Sequence, residues 1–190
     1  MLDFSLYRRK GQTLSEIAKD FTLQDLPRLL DALYDHIEGQ IAGASDAEIT
    51  FVPQDPSAHD TFAADPTELK LPWTLGHVIV HLTASAEEAT AQATNLARGV
   101  QITGRSRCEV PWRTVTTIEQ VRIRLHESRR MQHALLKAWP DVPHLELVHT
   151  PGYPGAEPRN AITYFISGLA HADSHLDQID QILAQARSTE

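Results

Sequence analysis

The chain has 190 residues, 42% of them hydrophobic and 22% charged, with a formal charge of −8. A chain of this size builds one core and leaves little for a second, so a single domain over residues 1–190 is expected. The acidic balance gives no electrostatic basis for binding nucleic acid or an anionic membrane, because phosphate recognition relies on clustered Lys and Arg.

The first helix is expected over residues 22–42. Thr22 fits its N-cap, Asp25 its positively polarised first turn, and Pro27 is early enough to be tolerated. Leu26, Leu29, Leu30, Leu33, Ile37 and Ile41 then form one apolar stripe, and Gly43 suits a stop. Upstream, TLSEIAKDF can add a turn of helix. Residues 44–72 are rich in Pro and Asp and read as a surface link. The second helix, 73–98, lies between Pro72 and Gly99. Its stripe is Leu75, Val78, Ile79, Leu82, Ser85, Ala86 and Ala89, and the small residues at its end allow a neighbour or a ligand to come close.

The third helix, 117–139, opens with Thr117 and Gln120 at capping-box spacing and stops before Pro140. The fourth, 160–186, carries Ile162, Phe165, Ile166, Leu169, Leu176, Ile179, Ile182 and Leu183 on one face. Only HLELVHT at 144–150 alternates like a strand, and it is too short to found a sheet. The fold class is therefore all-α, most simply a four-helix bundle. The link over 100–116 reaches roughly 56 Å when extended, and a helix of ~25 residues is only about 37 Å long, so a crossover between parallel second and third helices is open to the chain.

No apolar run approaches the ~20 residues that span a bilayer, and MLDFSLYRRK lacks the apolar core of a signal peptide, so a cytoplasmic protein is expected. Cys108, the lone cysteine, has no partner for an internal disulfide and reads as an ordinary loop thiol. Arg105, Arg107, Arg129 and Arg130 read as solvated surface.

Ten histidines are present. His171 and His175, in HADSH, stand four apart on the fourth helix, which puts both imidazoles on one face within reach of a common ion. His77 and His81 repeat the spacing on the second helix, on a strip that borders the core. Buried imidazoles need partners, and two inward pairs on separate helices suggest a shared one. Each pair also fits a blander description, in which every ring bonds a carbonyl, a carboxylate or water. Glu146 and His149 have the spacing of a di-iron motif, but Pro143 and Pro151 deny them a long helix. His36, His126 and His133 are expected at solvent or in local hydrogen bonds, and His59, His144 and His149 lie in links. Asp173 and Asp177 flank the HADSH pair; either can orient a ligating ring, although a solvated charge is the simpler reading of Asp173. No Gly-x-Ser-x-Gly, phosphate-cradling Gly-rich loop, His-Glu-x-x-His or Cys-x-x-Cys is present.

Taken together and in order, PWTLGHVIVHL and HADSHLDQI resemble the motifs of the DinB-like family of metalloenzymes, and the resemblance extends over most of the chain. It implies an up-down-down-up four-helix bundle, commonly a homodimer, with three histidines binding a divalent metal such as zinc or nickel. By position those histidines are His81, His171 and His175, and Gln178 matches a Gln that often follows them. His77 has no clear counterpart and is expected beside the site or as a bystander. Three protein ligands leave coordination positions open, as in catalytic sites. Family members include transferases of low-molecular-weight thiols such as bacillithiol and mycothiol, so the resemblance implies thiol transfer to a small-molecule electrophile. A metal-water hydrolase or amidase, or a metal-binding stress protein without turnover, are the alternatives.

Overall fold

A computed structural model describes residues 1–60, 63, 65–105, 107 and 109–189; Cys108 lies outside them. Two short helices open the chain, α1 (Ser5–Arg8) and α2 (Leu14–Ala18). The second is the turn expected from TLSEIAKDF, closed by a capping box between Thr13 and Glu16. α3 (Leu26–Gln40) starts later than expected because residues before it form a turn, in which the Asp25 carboxylate accepts from the Thr22 N–H at 2.9 Å.

The link after α3 is partly ordered into helix. Ser45 and Glu48 form a second capping box that starts α4 (Asp46–Thr50) and buries Ile49. α5 (Leu75–Ala97) is capped by the Thr74 hydroxyl and ends at Gly99, whose φ of 78° supplies the left-handed turn a side chain resists. α6 (Ile118–Lys137) begins at the expected Thr117–Gln120 capping box. α7 (Ala161–Asp173) and α8 (Leu176–Ser188) complete the chain. Among the described residues there is no strand, only one bridge between His149 and Arg159, and no helix is long and apolar enough to cross a membrane.

The expectation of one unbroken fourth helix is corrected at Ser174 and His175. The Ser174 hydroxyl donates to the His171 carbonyl at 2.6 Å, and the His175 N–H reaches back three residues to Ala172 at 3.1 Å. A tightened turn with a competing hydroxyl ends the α-helical ladder there, and α8 starts afresh. The break therefore falls inside HADSH, between the two histidines.

The four long segments pack with α5 against α6 and α7, and α3 against α6 and α7. Asp31 meets His133 at 2.7 Å and Ala42 meets Arg122 at 3.1 Å, so α3 and α6 run in opposite directions. Thr83 meets Arg124 and Thr94 meets Trp139, each at 3.0 Å, so α5 and α6 run together. A buried chain of hydrogen bonds fastens three helices, with Gln132 donating to the Tyr34 hydroxyl at 2.6 Å and accepting from Thr90 at 2.9 Å. Burial pushes the Tyr34 phenol up to about 12, which keeps it a neutral partner in that chain.

α5 and α7 make the closest approach. A Cβ placed on Gly168 would stand 2.7 Å from the Ala89 Cβ, so the glycine lets the two backbones meet. Gly168→Ala is accordingly expected to cost about 1–3 kcal/mol by overpacking, read as a lower denaturant midpoint. An unchanged midpoint would mean that α5 and α7 are not held at this distance.

Candidate metal centre

Thr74 starts α5 by accepting the His77 N–H at 3.2 Å, and this start sets the rotation of His77 and His81 on the helix. The antiparallel α7 brings His171 opposite His81, with the two Nε2 atoms 3.0 Å apart. His175, at the break, turns its ring into the same space. The three ring centroids are 4.9 to 5.1 Å apart, and one nitrogen from each lies within 4.8 Å of the others.

His81, His171 and His175 are thus gathered where the sequence placed them, and among the described residues they form the only such group of metal-ligating side chains. His77 is not in it. Its ring is buried and sandwiched between Trp73, at 4.4 Å, and Trp112, at 4.5 Å and nearly parallel.

Desolvation dominates the electrostatics. Burial pushes His81 and His171 down to about 3, with further lowering from neighbouring cations and rings, and it lowers His175 as well. All three imidazoles are consequently neutral at physiological pH, the protonation state that offers a lone pair to a cation. The His175 Nδ1–H donates to the Gln178 Oε1 at 2.9 Å, which leaves the Nε2 lone pair free. The donor chemistry fits a divalent ion once the His81 proton is on Nδ1, towards the Glu109 carboxylate, and Arg107 yields that nitrogen. A tetrahedral ion bound at ~2.0–2.1 Å holds its nitrogen ligands about 3.3 Å apart, so the rings stand near coordinating distance.

Trp73 roofs the cluster, with its ring 4.5 Å from that of His81 and 5.9 Å from that of His175. Trp73 and Gln178 also line a cavity of about 200 Å³, together with His59 and Asp60. Two neighbours come from the loop before α6. Arg107 places a guanidinium nitrogen 2.7 Å from the His81 Nδ1 and pairs with Glu109, whose carboxylate is 3.5 Å from the same nitrogen.

Several surface readings are corrected here. The Arg107 side chain is only 20% exposed, pressed against His81, and Arg129 is held by Asp31 and Asp35. Asp173 is buried and paired with Arg8 of α1, so it braces the outside of the cluster and is not a solvated charge. Arg107 and Glu109 were missed because their loop carries no periodicity, and nothing in the sequence says where it folds back. Trp73 was visible only as part of a motif.

The family model of the DinB superfamily matches residues 18–179. The chain belongs to the DinB superfamily. The match spans α3 through the start of α8 and includes all three clustered histidines of this DinB-like protein. No curated protein and no solved structure matches the chain.

Two expectations follow from the geometry. Gln178→Ala removes the acceptor that fixes the His175 ring, and divalent-metal affinity measured by chelator competition should fall roughly 10- to 100-fold with the fold intact; unchanged affinity would remove Gln178 from the site. His77 titrates at 6.5 when exposed and is pushed down to about 4 by burial when folded. Between those values the unfolded chain binds more protons, so the stabilising contribution is complete above 6.5 and is lost as pH falls towards 4. Urea midpoints should drop through that window, and His77→Phe, which keeps an aromatic ring between the tryptophans, should lessen the slope, leaving the share carried by His81, His171 and His175.

Proposed function

We propose that the protein is a metal-dependent enzyme in which His81, His171 and His175 hold one divalent ion, zinc or nickel, and that it transfers a low-molecular-weight thiol to an electrophilic small molecule. The observation that carries this reading is the gathering of three neutral imidazoles beside a cavity, with Gln178 belonging to both. Three protein ligands leave positions for an exogenous group, and a divalent ion supplies there the Lewis acidity that lowers the pKa of a bound thiol or water.

The chain's own residues supply the rest. Gln178 fixes the His175 tautomer, and Trp73 and Trp112 exclude water from the His77 side of the cluster. Arg107 stands at the edge of the cluster and contributes positive charge where an incoming thiolate would gain from it. The choice of a thiol over another nucleophile rests on resemblance to family members, and the metal site rests on residues.

Plasma mass spectrometry of untagged protein tests the first half. About one ion per chain is expected in the parent, and none in a folded variant with His81, His171 and His175 all changed to Ala. Thiol consumption with an electrophilic acceptor should then require the ion and be lost on chelation. A parent that stays empty after incubation with zinc and nickel would end the metalloenzyme reading, and a loaded parent inert towards thiols would end the transferase reading alone.

A further inference from the structure

Away from the histidines, Arg159 is in an unusual position. It is 7% exposed, the one arginine among the buried described residues, and its Nε is buried without a hydrogen-bond partner. Among the described residues it forms no ion pair, although the better exposed Arg8, Arg105, Arg107, Arg113, Arg124 and Arg187 each have a carboxylate. Its guanidinium donates only to the Tyr153 hydroxyl and lies 5.7 Å from the ring centroids of both Tyr153 and Tyr164.

The backbone fixes this residue rigidly. Its N–H and carbonyl both bond His149 at 2.9 Å, and Asn160 beside it caps α7 by accepting the Thr163 N–H at 3.0 Å. Arg159 therefore immediately precedes the N-cap of a thirteen-residue helix. A buried cation without a counter-charge is costly, and a helix N-terminus adds to that cost. A bound anion would offset both costs.

Tyr7 of α1 lies within electrostatic reach of Arg159 and lines a surface cavity of about 560 Å³, together with Arg8, Lys10, Gly155 and Glu157. Burial raises the Tyr7 and Tyr164 phenols, so both keep the O–H that can donate to an oxyanion. Glu157 is the acid nearest this group in sequence, and it makes no ion pair with Arg159.

We infer that Arg159, with the hydroxyls of Tyr7, Tyr153 and Tyr164, forms a binding site for the oxyanion group of a small molecule, a carboxylate or a phosphate. Planar, bidentate recognition by a guanidinium suits either group, and tyrosine hydroxyls complete the hydrogen bonds its third oxygen or second lone pairs require. The site needs no metal, so it stands or falls separately from the thiol-transfer reading.

Calorimetric titration of the full chain with inorganic phosphate in one arm and succinate in the other, at fixed ionic strength with chloride as control, tests it. Saturable binding in at least one arm is expected, with a rise in melting temperature that grows with ligand concentration. The responding arm identifies the group. Arg159→Met should abolish both effects and, in the absence of anion, melt no lower than the parent, because it removes a buried unpaired charge. Arg159→Lys keeps the charge without the fork and should bind at least roughly tenfold more weakly. No saturable binding in the parent, binding unchanged in Arg159→Met, or an anion-free Arg159→Met that melts well below the parent would each overturn the assignment.

Discussion

Contact between α5 and α7 at Gly168 sets the geometry on which the candidate centre depends. Packed interiors have little slack, and here the two backbones approach until a single Cβ would not fit beside Ala89. His171 is three residues further along α7, almost one turn, and His81 is eight residues back along α5, so the close approach fixes how far apart their rings can lie. A bulkier pair of faces would hold the imidazoles apart and leave each to find its own partner. The third ligand comes from a different cause. Ser174 diverts the His171 carbonyl and breaks the helix, and it is this turn that aims His175 at the other two rings.

Gathering three rings in a half-buried hollow is itself unfavourable. Every imidazole there loses solvation, and protonation of any one would face both burial and its neighbours. The protein meets the cost by keeping all three neutral and by surrounding them with groups of fixed geometry. Two tryptophans and His77 stack into a wall, Gln178 accepts from one ring nitrogen, and the pairing of exposed Arg8 with buried Asp173 ties α1 to α7. A neutral, preorganised and electron-rich cluster is a state in which binding a cation recovers energy that folding spent.

Much of this was legible in the sequence because helices repeat themselves. Capping at Thr117 and the apolar stripes place the long helices, and the spacing of His171 and His175 marks them as a pair, although a break in the helix, not an unbroken turn, brings their rings together. What escaped has no period to read. Ser174 looks like any polar residue within a helix, and its effect depends on a hydroxyl rotamer. Ser45 and Glu48 did carry a capping-box signature, hidden in a link whose prolines drew more attention. Arg107 looked like surface because it sits in a charged loop, and only the path of that loop over α5 brings it to His81. Asp173 was misread for the opposite reason: flanked by polar residues, it faces a cation more than a hundred and sixty residues away in the chain.

The division between what was legible and what was not follows the division of labour in the site. Helices supply His81 and His171, whose placing follows from backbone geometry that many sequences share, and the break between α7 and α8 supplies His175. Loops supply Arg107, Glu109, His59 and Asp60, which set the charge and shape of the space beside the ligands. An imidazole triad suits several divalent ions, and on the proposed function the loop groups would face the molecule that meets the ion. Arg159 belongs to the same class, since its burial depends on a loop folded back between His149 and α7. On the proposed function, the helices of this DinB-like chain would hold the ion while its loops, which carry the cations, tyrosines and acids, would choose the molecule that meets it.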